Sequence, residues 1–189
     1  MPRILIVPGS ARAQALSKRL ASAGLAAIDR AGGLGTLIDL AQFAMPLYHA
    51  ELEARDGLPE ATRRLQALIA GHDALLIASP EYNGSMTPLL VNAFDWCSRI
   101  DPRNTSGSGL AIFADKPAGL LGSSPGALGG LRALFHLRDL LGYLGMIVIP
   151  QQLNVPRAHQ AFEPDGGLID ETQRARLDAV ASALVRAAT

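Results

Sequence analysis

The chain has 189 residues, 49% hydrophobic and 18% charged, a balance too apolar for a disordered chain and ample for the core of one domain spanning residues 1–189. Lys plus Arg and Asp plus Glu are both 17, so no net field draws the chain to nucleic acid or to an anionic membrane. One cysteine, Cys97, excludes an intrachain disulfide; Met1 to Arg3 carry no signal-peptide n-region, and no apolar run nears the roughly 18 residues of a membrane span, so a cytoplasmic protein with no nucleic-acid or membrane partner is expected.

Arg3-Ile4-Leu5-Ile6-Val7-Pro8, closed by Gly9, predicts a first buried strand. Leu16 to Ala31 then places Leu16, Leu20, Ala23 and Ala27 on one helical face before Gly32-Gly33 stop it. A second strand is predicted over Thr36 to Leu40, an irregular segment between Pro46 and Pro59, a helix over Pro59 to Ala70 and a third strand over Asp73 to Ser79. Thr87 as hydroxyl cap and Pro88 at the first helical position start the next helix, with Leu89, Ala93, Trp96, Cys97 and Ile100 on its predicted buried face. Pro102 to Gly109 reads as an exposed loop, and Leu110 to Ala114 lead into a fourth strand, Pro117 to Gly122. A helix from about Gly129 to Leu144, a strand over Met146 to Ile149 and a long loop over 150–169 follow. Asp170 with Gln173 starts a last helix whose stripe is Leu177, Val180, Ala181, Leu184 and Val185.

Strands apolar throughout, five of them alternating with five helices, predict an α/β fold: a doubly wound parallel sheet covered on both faces. Ligands in such sheets lie beyond the carboxyl ends of the strands where strand order reverses, which points to the loops after Val7, Ser79 and Gly122. The first, Gly9 to Ala15, runs into a helix N-terminus, where free amides, Ser10 and Arg12 suit an anion; an ordinary turn with a solvated Arg12 is the alternative. No Gly-Lys-Ser/Thr and no glycine two residues after Gly9 support a nucleotide-phosphate fingerprint, and Gly33-Leu34-Gly35 and Gly107-Ser108-Gly109 read as turns.

The second loop, Ser79 to Pro88, holds Asn83-Gly84, ordinarily a hairpin signal, yet a capped helix follows it and not a second strand. Its amides would suit the edge of a planar heterocycle, with Tyr82 as either a flat wall for it or simple packing. The third, Gly122-Ser123-Ser124-Pro125-Gly126, matches G-x-S-x-G, but Pro125 lacks the N–H that an oxyanion hole needs after the nucleophile, which excludes a serine hydrolase despite His136 and His159 downstream. Its small side chains let a ring approach the backbone closely.

Gly9-Ser10-Ala11-Arg12, Pro80-Glu81-Tyr82-Asn83-Gly84-Ser85 continuing to Pro88, Asn92-Ala93-Phe94-Asp95-Trp96, and Ser124 to Arg132 resemble the NADPH-dependent FMN reductase family, which includes quinone, azo-dye and chromate reductases. The resemblance runs from Ile4 to about Asp170 and implies a flavodoxin-like fold of strand order 2-1-3-4-5, a non-covalent FMN, NADPH or NADH as co-substrate, and a homodimer or homotetramer. It further implies that Gly9, Ser10, Arg12 and Ser17 hold the FMN phosphate, that Pro80, Glu81, Tyr82, Asn83 and Gly84 meet the isoalloxazine edge, and that Ser123, Ser124 and Gly126 lie beside it. The family usually has a serine and an asparagine where this chain has Ala15 and Ser17, so one hydroxyl donor is missing from the phosphate loop.

Cys97 on an apolar helical face reads as a buried thiol, and His49, His72, His136 and His159 have no paired metal spacing, so no metal is expected. Hydride transfer to a flavin needs no protein nucleophile, which leaves Glu81 as a positioning residue and Asp95 as a structural anchor. The resulting expectation is an FMN-dependent NAD(P)H oxidoreductase with ping-pong exchange, acting on a quinone-like or other small acceptor. A flavodoxin-type electron carrier and a flavin-binding redox sensor are the alternatives. Arg99, Arg103 and Arg132 are all candidates for a 2′-phosphate.

Overall fold

Every residue from Ile4 to Ser10 and from Ala74 to Ser79 is buried. Successive strand side chains point to opposite faces, so both faces of these strands need a cover. In the computed structural model, which describes residues 1–189, helices supply it. In chain order the elements are β1 (Arg3–Pro8), α1 (Leu16–Arg30), β2 (Leu34–Leu37), α2 (Ala50–Asp56), α3 (Glu60–Ala70), β3 (Ala74–Pro80), α4 (Pro88–Cys97), β4 (Pro117–Ser123), α5 (Leu131–Tyr143), β5 (Ile147–Val155) and α6 (Glu171–Ala187). The five strands form one all-parallel sheet, order β2-β1-β3-β4-β5, a flavodoxin-like doubly wound α/β arrangement. Ile4 and Ile6 pack with Leu20 and Ile28 of α1 and Leu184 of α6, whereas Leu5 and Val7 pack with Leu65, Ile69, Leu90 and Phe94 of α3 and α4. Order reverses between β1 and β3, so the chain ends leaving these two strands face one crevice.

Several boundaries differ from the sequence expectation. The segment between Pro46 and Pro59 contains α2, making six helices; its seven residues bury nothing, so no apolar stripe marks it. The second strand is Leu34–Leu37 and not Thr36 to Leu40. Gly35 belongs to it, and is no turn, because α1 packs so close that a Cβ there would come within 2.3 Å of Leu25 Cδ1. Asp39 instead caps a 3-10 turn over Leu40–Gln42, accepting from Ala41 N at 3.0 Å, and Leu110 to Ala114 lead into β4 through a second such turn over Gly109–Ile112.

The last strand does not stop at Ile149; it runs on through Pro150 to Val155. β5 is an edge strand, where a missing N–H breaks no ladder on the open side. The register slips between Ala118 and Leu120, and Arg138 of α5 serves the irregular stretch, donating to Val148 O at 3.2 Å, Ile149 O at 3.0 Å and Gln152 Oε1 at 2.9 Å. On α4 the buried residues are Leu90, Ala93, Phe94, Trp96 and Cys97. Ile100 lies past the helix end and is 62% exposed, because the chain turns away there into the 101–108 loop. In that loop buried Asp101 accepts from Arg103 N at 3.1 Å and Arg63 Nε at 2.8 Å. Those bonds, the first above all, hold its carboxyl below the usual range. Asp170 caps α6 through Gln173 N at 2.8 Å, and the expected stripe from Leu177 to Val185 is buried.

Candidate active site

The first loop leaves β1 at Pro8. Gly9 is pressed against α4: a Cβ there would lie 2.5 Å from Leu90 Cδ1, so any larger residue must displace the buried Leu90 side chain. Gly9 O accepts from Thr87 Oγ1 at 2.7 Å, a buried bond tying the first loop to the second. Ser10 is buried and its Oγ accepts from Arg12 N at 3.3 Å, while Arg12 is exposed, with only Gln14 O at 3.3 Å as a side-chain partner. The N-cap of α1 is Ala15, which makes no capping bond, and the first turn has no acidic residue. The Ser17 hydroxyl, fully buried, has no hydrogen-bond partner. Free helix amides, an orphaned hydroxyl and a guanidinium without a carboxylate are together the kind of surroundings that suit an anion.

In the second loop Asn83 and Gly84 both have positive φ, 52° and 78°. Tyr82 N donates to Ser85 O at 2.9 Å and Ser85 N to Tyr82 O at 3.0 Å. A two-residue primed-type turn is therefore present, and as expected a capped helix follows it and not a second strand, because β3 ends at Pro80 and Thr87 opens α4. Glu81 is 8% exposed at its side chain and accepts from Arg132 N at 3.2 Å and Arg132 Nε at 2.8 Å, with Nη2 on the same oxygen. It thus caps α5 from another element and anchors the turn, while His136 Nδ1 lies 2.8 Å from Ser85 Oγ. Tyr82 is half-exposed, a wall open to solvent.

The third loop is laced to the end of β5. Ser124 N donates to Val155 O at 3.3 Å, Ala158 N to Ser124 O at 3.0 Å and Arg157 N to Gly126 O at 3.2 Å. Ser123 is buried with an unpartnered Oγ, and Ser124 Oγ accepts from Gly126 N at 3.1 Å. Ser10, Arg12, Ser17, Pro80, Glu81, Tyr82, Ser123 and Ser124 line one cleft of about 130 Å³. Gly9, Asn83, Gly84 and Gly126 are in the same three loops but do not line it.

Asp95 makes no side-chain hydrogen bond, so it is not the expected anchor; burial raises its pKa against the opposing charge of Arg99. Its neighbours on α4 fill that role: Asn92 accepts from Tyr48 N at 2.7 Å and donates to Pro46 O at 2.9 Å, and Trp96 Nε1 donates to Pro46 O at 2.8 Å. Cys97 is fully buried, which drives its thiol far above the ordinary range. Of the arginines considered for a phosphate, Arg132 is on Glu81, Arg103 is 3.5 Å from Asp101, and Arg99 lies 5.5 Å from the Tyr48 ring centroid. The sequence reading missed Thr87 as a tie between two loops, and took Arg132 as a phosphate candidate rather than as the partner of Glu81. Their partners, Gly9 and Glu81, are 78 and 51 positions away.

A family model described as NADPH-dependent FMN reductase matches residues 2–160. The chain is 39% identical over 163 residues to the NAD(P)H-dependent FMN reductase PA1204 of Pseudomonas aeruginosa, covering 84% of this chain and 83% of that one. It is 32% identical over 173 residues to a 2-hydroxy-1,4-benzoquinone reductase of a Burkholderia species, covering 91% and 88%. Among solved structures, the flavoenzyme NAD(P)H:(acceptor) oxidoreductase FerB of Paracoccus denitrificans superposes with a TM-score of 0.83 at 26% identity, over 100% of this chain and 97% of that one. An archaeal flavodoxin, at 12% identity and a TM-score of 0.59, shares the fold. With the phosphate-type loop, the paired turn and the laced third loop meeting at one crevice, and with a family match over most of its length, this chain belongs to the NADPH-dependent FMN reductase family.

Proposed function

We propose that this protein is an FMN-dependent NAD(P)H oxidoreductase that reduces a quinone-type small molecule, and that residues 1–189 act as one cytoplasmic unit assembled as a homodimer or homotetramer. The carrying observation is the uncapped N-terminus of α1 with Ser10, Arg12 and the orphaned Ser17 hydroxyl around it, facing the Tyr82–Ser85 turn across one cleft. These residues fit FMN: Ser10, Arg12, Ser17 and the amides behind Gly9 would hold its phosphate. Pro80, Glu81, Tyr82, Asn83 and Gly84 would meet the ring edge, and Ser123, Ser124 and Gly126 would flank it, with Ser123 Oγ offering a second unmet hydroxyl. The redox chemistry is the cofactor's, a two-electron transfer from reduced nicotinamide to the acceptor.

The protein orients and shields. The Glu81–Arg132 pair fixes the second loop against α5, and Thr87 locks it to the first loop, so the groups around the cleft are set before anything binds. Assembly is supported by Tyr82, Leu128 and Phe135, apolar residues each about half-exposed, the kind of surface a second copy covers. No helix is long and apolar enough to cross a membrane.

The test is the visible spectrum of the purified protein followed by anaerobic addition of NADPH. Rapid bleaching of a flavin band is expected; bleaching too slow for turnover would favour the electron-carrier reading. Arg12→Ala is expected to weaken FMN about tenfold and riboflavin hardly at all. A charge-assisted bond to phosphate, worth about 1.5 kcal/mol at this exposed position, is lost only where a phosphate exists. Fluorescence titration of both ligands checks this, and equal weakening of both contradicts the placement.

A further inference from the structure

Three residues other than glycine have positive φ: Asn83, Asp115 and Arg157, the last at 47°. Asn and Asp tolerate this region through local side-chain hydrogen bonds, but arginine has no such compensation. The left-handed turn at Arg157 is imposed by the lacing of the third loop, where Arg157 N and Ala158 N are both committed. Glycine would take that conformation freely, so the turn itself does not call for an arginine side chain. Its guanidinium is exposed and makes no hydrogen bond or ion pair within the molecule.

Arg157 lines a cleft of about 410 Å³ on the other side of the third loop, with Ala127, Pro156, Ile169 and Gln173 in its wall. Gln173, one of the residues lining it, has a buried Oε1 without a hydrogen-bond partner. Its backbone N is already taken by Asp170 at 2.8 Å, so the start of α6 is capped by a carboxylate that also lines the cleft, at the end of the wall away from any anion Arg157 would hold in this reading. An unmet buried acceptor suits an N–H or O–H donor, an exposed guanidinium can exchange its water for an anion, and the walls of Ala127, Pro156 and half-exposed Ile169 suit an apolar or planar body. An adenosine phosphate carries all three as exocyclic amine, phosphate and flat base. Ala127 belongs to the loop whose Ser123, Ser124 and Pro125 line the candidate active-site cleft, so the two clefts flank one loop.

We propose that the Arg157 cleft binds the adenosine-phosphate half of the reduced nicotinamide co-substrate, with Gln173 Oε1 accepting from the adenine amine and the Arg157 guanidinium donating to a phosphate. This rests on the oxidoreductase reading above. The phosphate has two possible sources in a dinucleotide, the 2′-phosphate and the pyrophosphate, and both meet the guanidinium by the same chemistry.

The test uses Arg157→Gly in the FMN-loaded protein. Glycine accepts the left-handed turn, so circular dichroism should show a melting temperature no lower than the parent's. Calorimetric titration with 5′-ADP and 2′,5′-ADP should show at least tenfold weaker binding of the nucleotide whose phosphate Arg157 holds. KM for the dinucleotide should rise at least tenfold, the effect falling on KM and not on kcat. With reduced nicotinamide mononucleotide, which lacks the adenosine half, the ratio of variant to parent should stay near one. Gln173→Leu should weaken the same nucleotides several-fold. A KM effect on NADPH alone assigns the 2′-phosphate, and equal effects on NADPH and NADH assign the pyrophosphate. Unaltered ADP affinities and KM in Arg157→Gly, with flavin still bleached by NADPH, overturn the subsite and leave the oxidoreductase reading intact. A parent protein whose flavin is not bleached by NADPH overturns that reading instead, and the ADP titrations still decide whether the cleft binds adenosine phosphates.

Discussion

Gly84→Val should weaken FMN binding by about 5- to 150-fold while the apoprotein stays folded. Gly84 sits at φ 78° beside Asn83 at 52°, and this pair of left-handed residues allows Tyr82 and Ser85 to exchange their two backbone bonds. Space is not the obstacle. A Cβ at Gly84 would meet nothing nearer than Arg132 Nε at 3.8 Å. The obstacle is conformational: a β-branched residue in the left-handed region costs about 1–3 kcal/mol, which the chain escapes by opening the turn. An open turn no longer aims its amides at a ring edge, and the strain reappears as lost affinity at about 1.4 kcal/mol per tenfold. The turn contributes no residue to either buried core cluster, so circular dichroism of the apoprotein should be close to the parent's. A folded Gly84→Val protein that quenches FMN fluorescence like the parent removes this loop from the flavin site.

Gly129→Ala should be the more damaging substitution to the fold itself, lowering the melting temperature by about 6–12 °C. A Cβ there would lie 2.6 Å from both Pro156 N and Val155 C, and 2.9 Å from Val155 N. These are backbone atoms of the sheet edge and cannot swing aside as a flexible side chain does. Gly129 also has φ 59°, so alanine is strained before it clashes. Relief requires the third loop to part from the end of β5, giving up some of its three lacing bonds at about 0.5–1.5 kcal/mol each on top of the left-handed strain. A total near 3 kcal/mol at about 2–4 °C per kcal/mol sets the expected shift. Gly142→Ala is the control: nothing lies within 4 Å of its Cβ and it is on an exposed helix turn, so a gain of about 0.4–1 kcal/mol is expected. Thermal melts of both variants decide the matter, and a Gly129→Ala protein as stable as the parent contradicts the close approach.

The three central strands β1, β3 and β4 were legible in the sequence because a parallel strand buried on both faces must be apolar at nearly every position, as Ile4 to Val7 and Ala74 to Ala78 are, whereas the bounds of the partly exposed edge strands β2 and β5 were not. The start of α4 was legible because Thr87-Pro88 acts on its own turn, and the cap of α6 because Asp170 and Gln173 are three apart. The three candidate loops followed from the same strand ends, and of the residues proposed there Ser17 lies already in the first turn of α1. Features without a local pattern were decided by the tertiary structure alone. α2, in which no residue is buried, has no stripe to read, and β5 continues past Pro150 because that strand lies at the sheet edge. The anchors of the site, Thr87 on Gly9 and Glu81 on Arg132, join residues far apart in the chain, and the supports Asn92 and Trp96 meet Pro46 only after α4 has packed. Which hydroxyl is left without a partner, as at Ser17 and Ser123, and which arginine is free, as at Arg157, likewise depends on what packing brings near them. A short-range pattern fixes a residue's own conformation, but its partner is fixed by where the rest of the chain comes to lie.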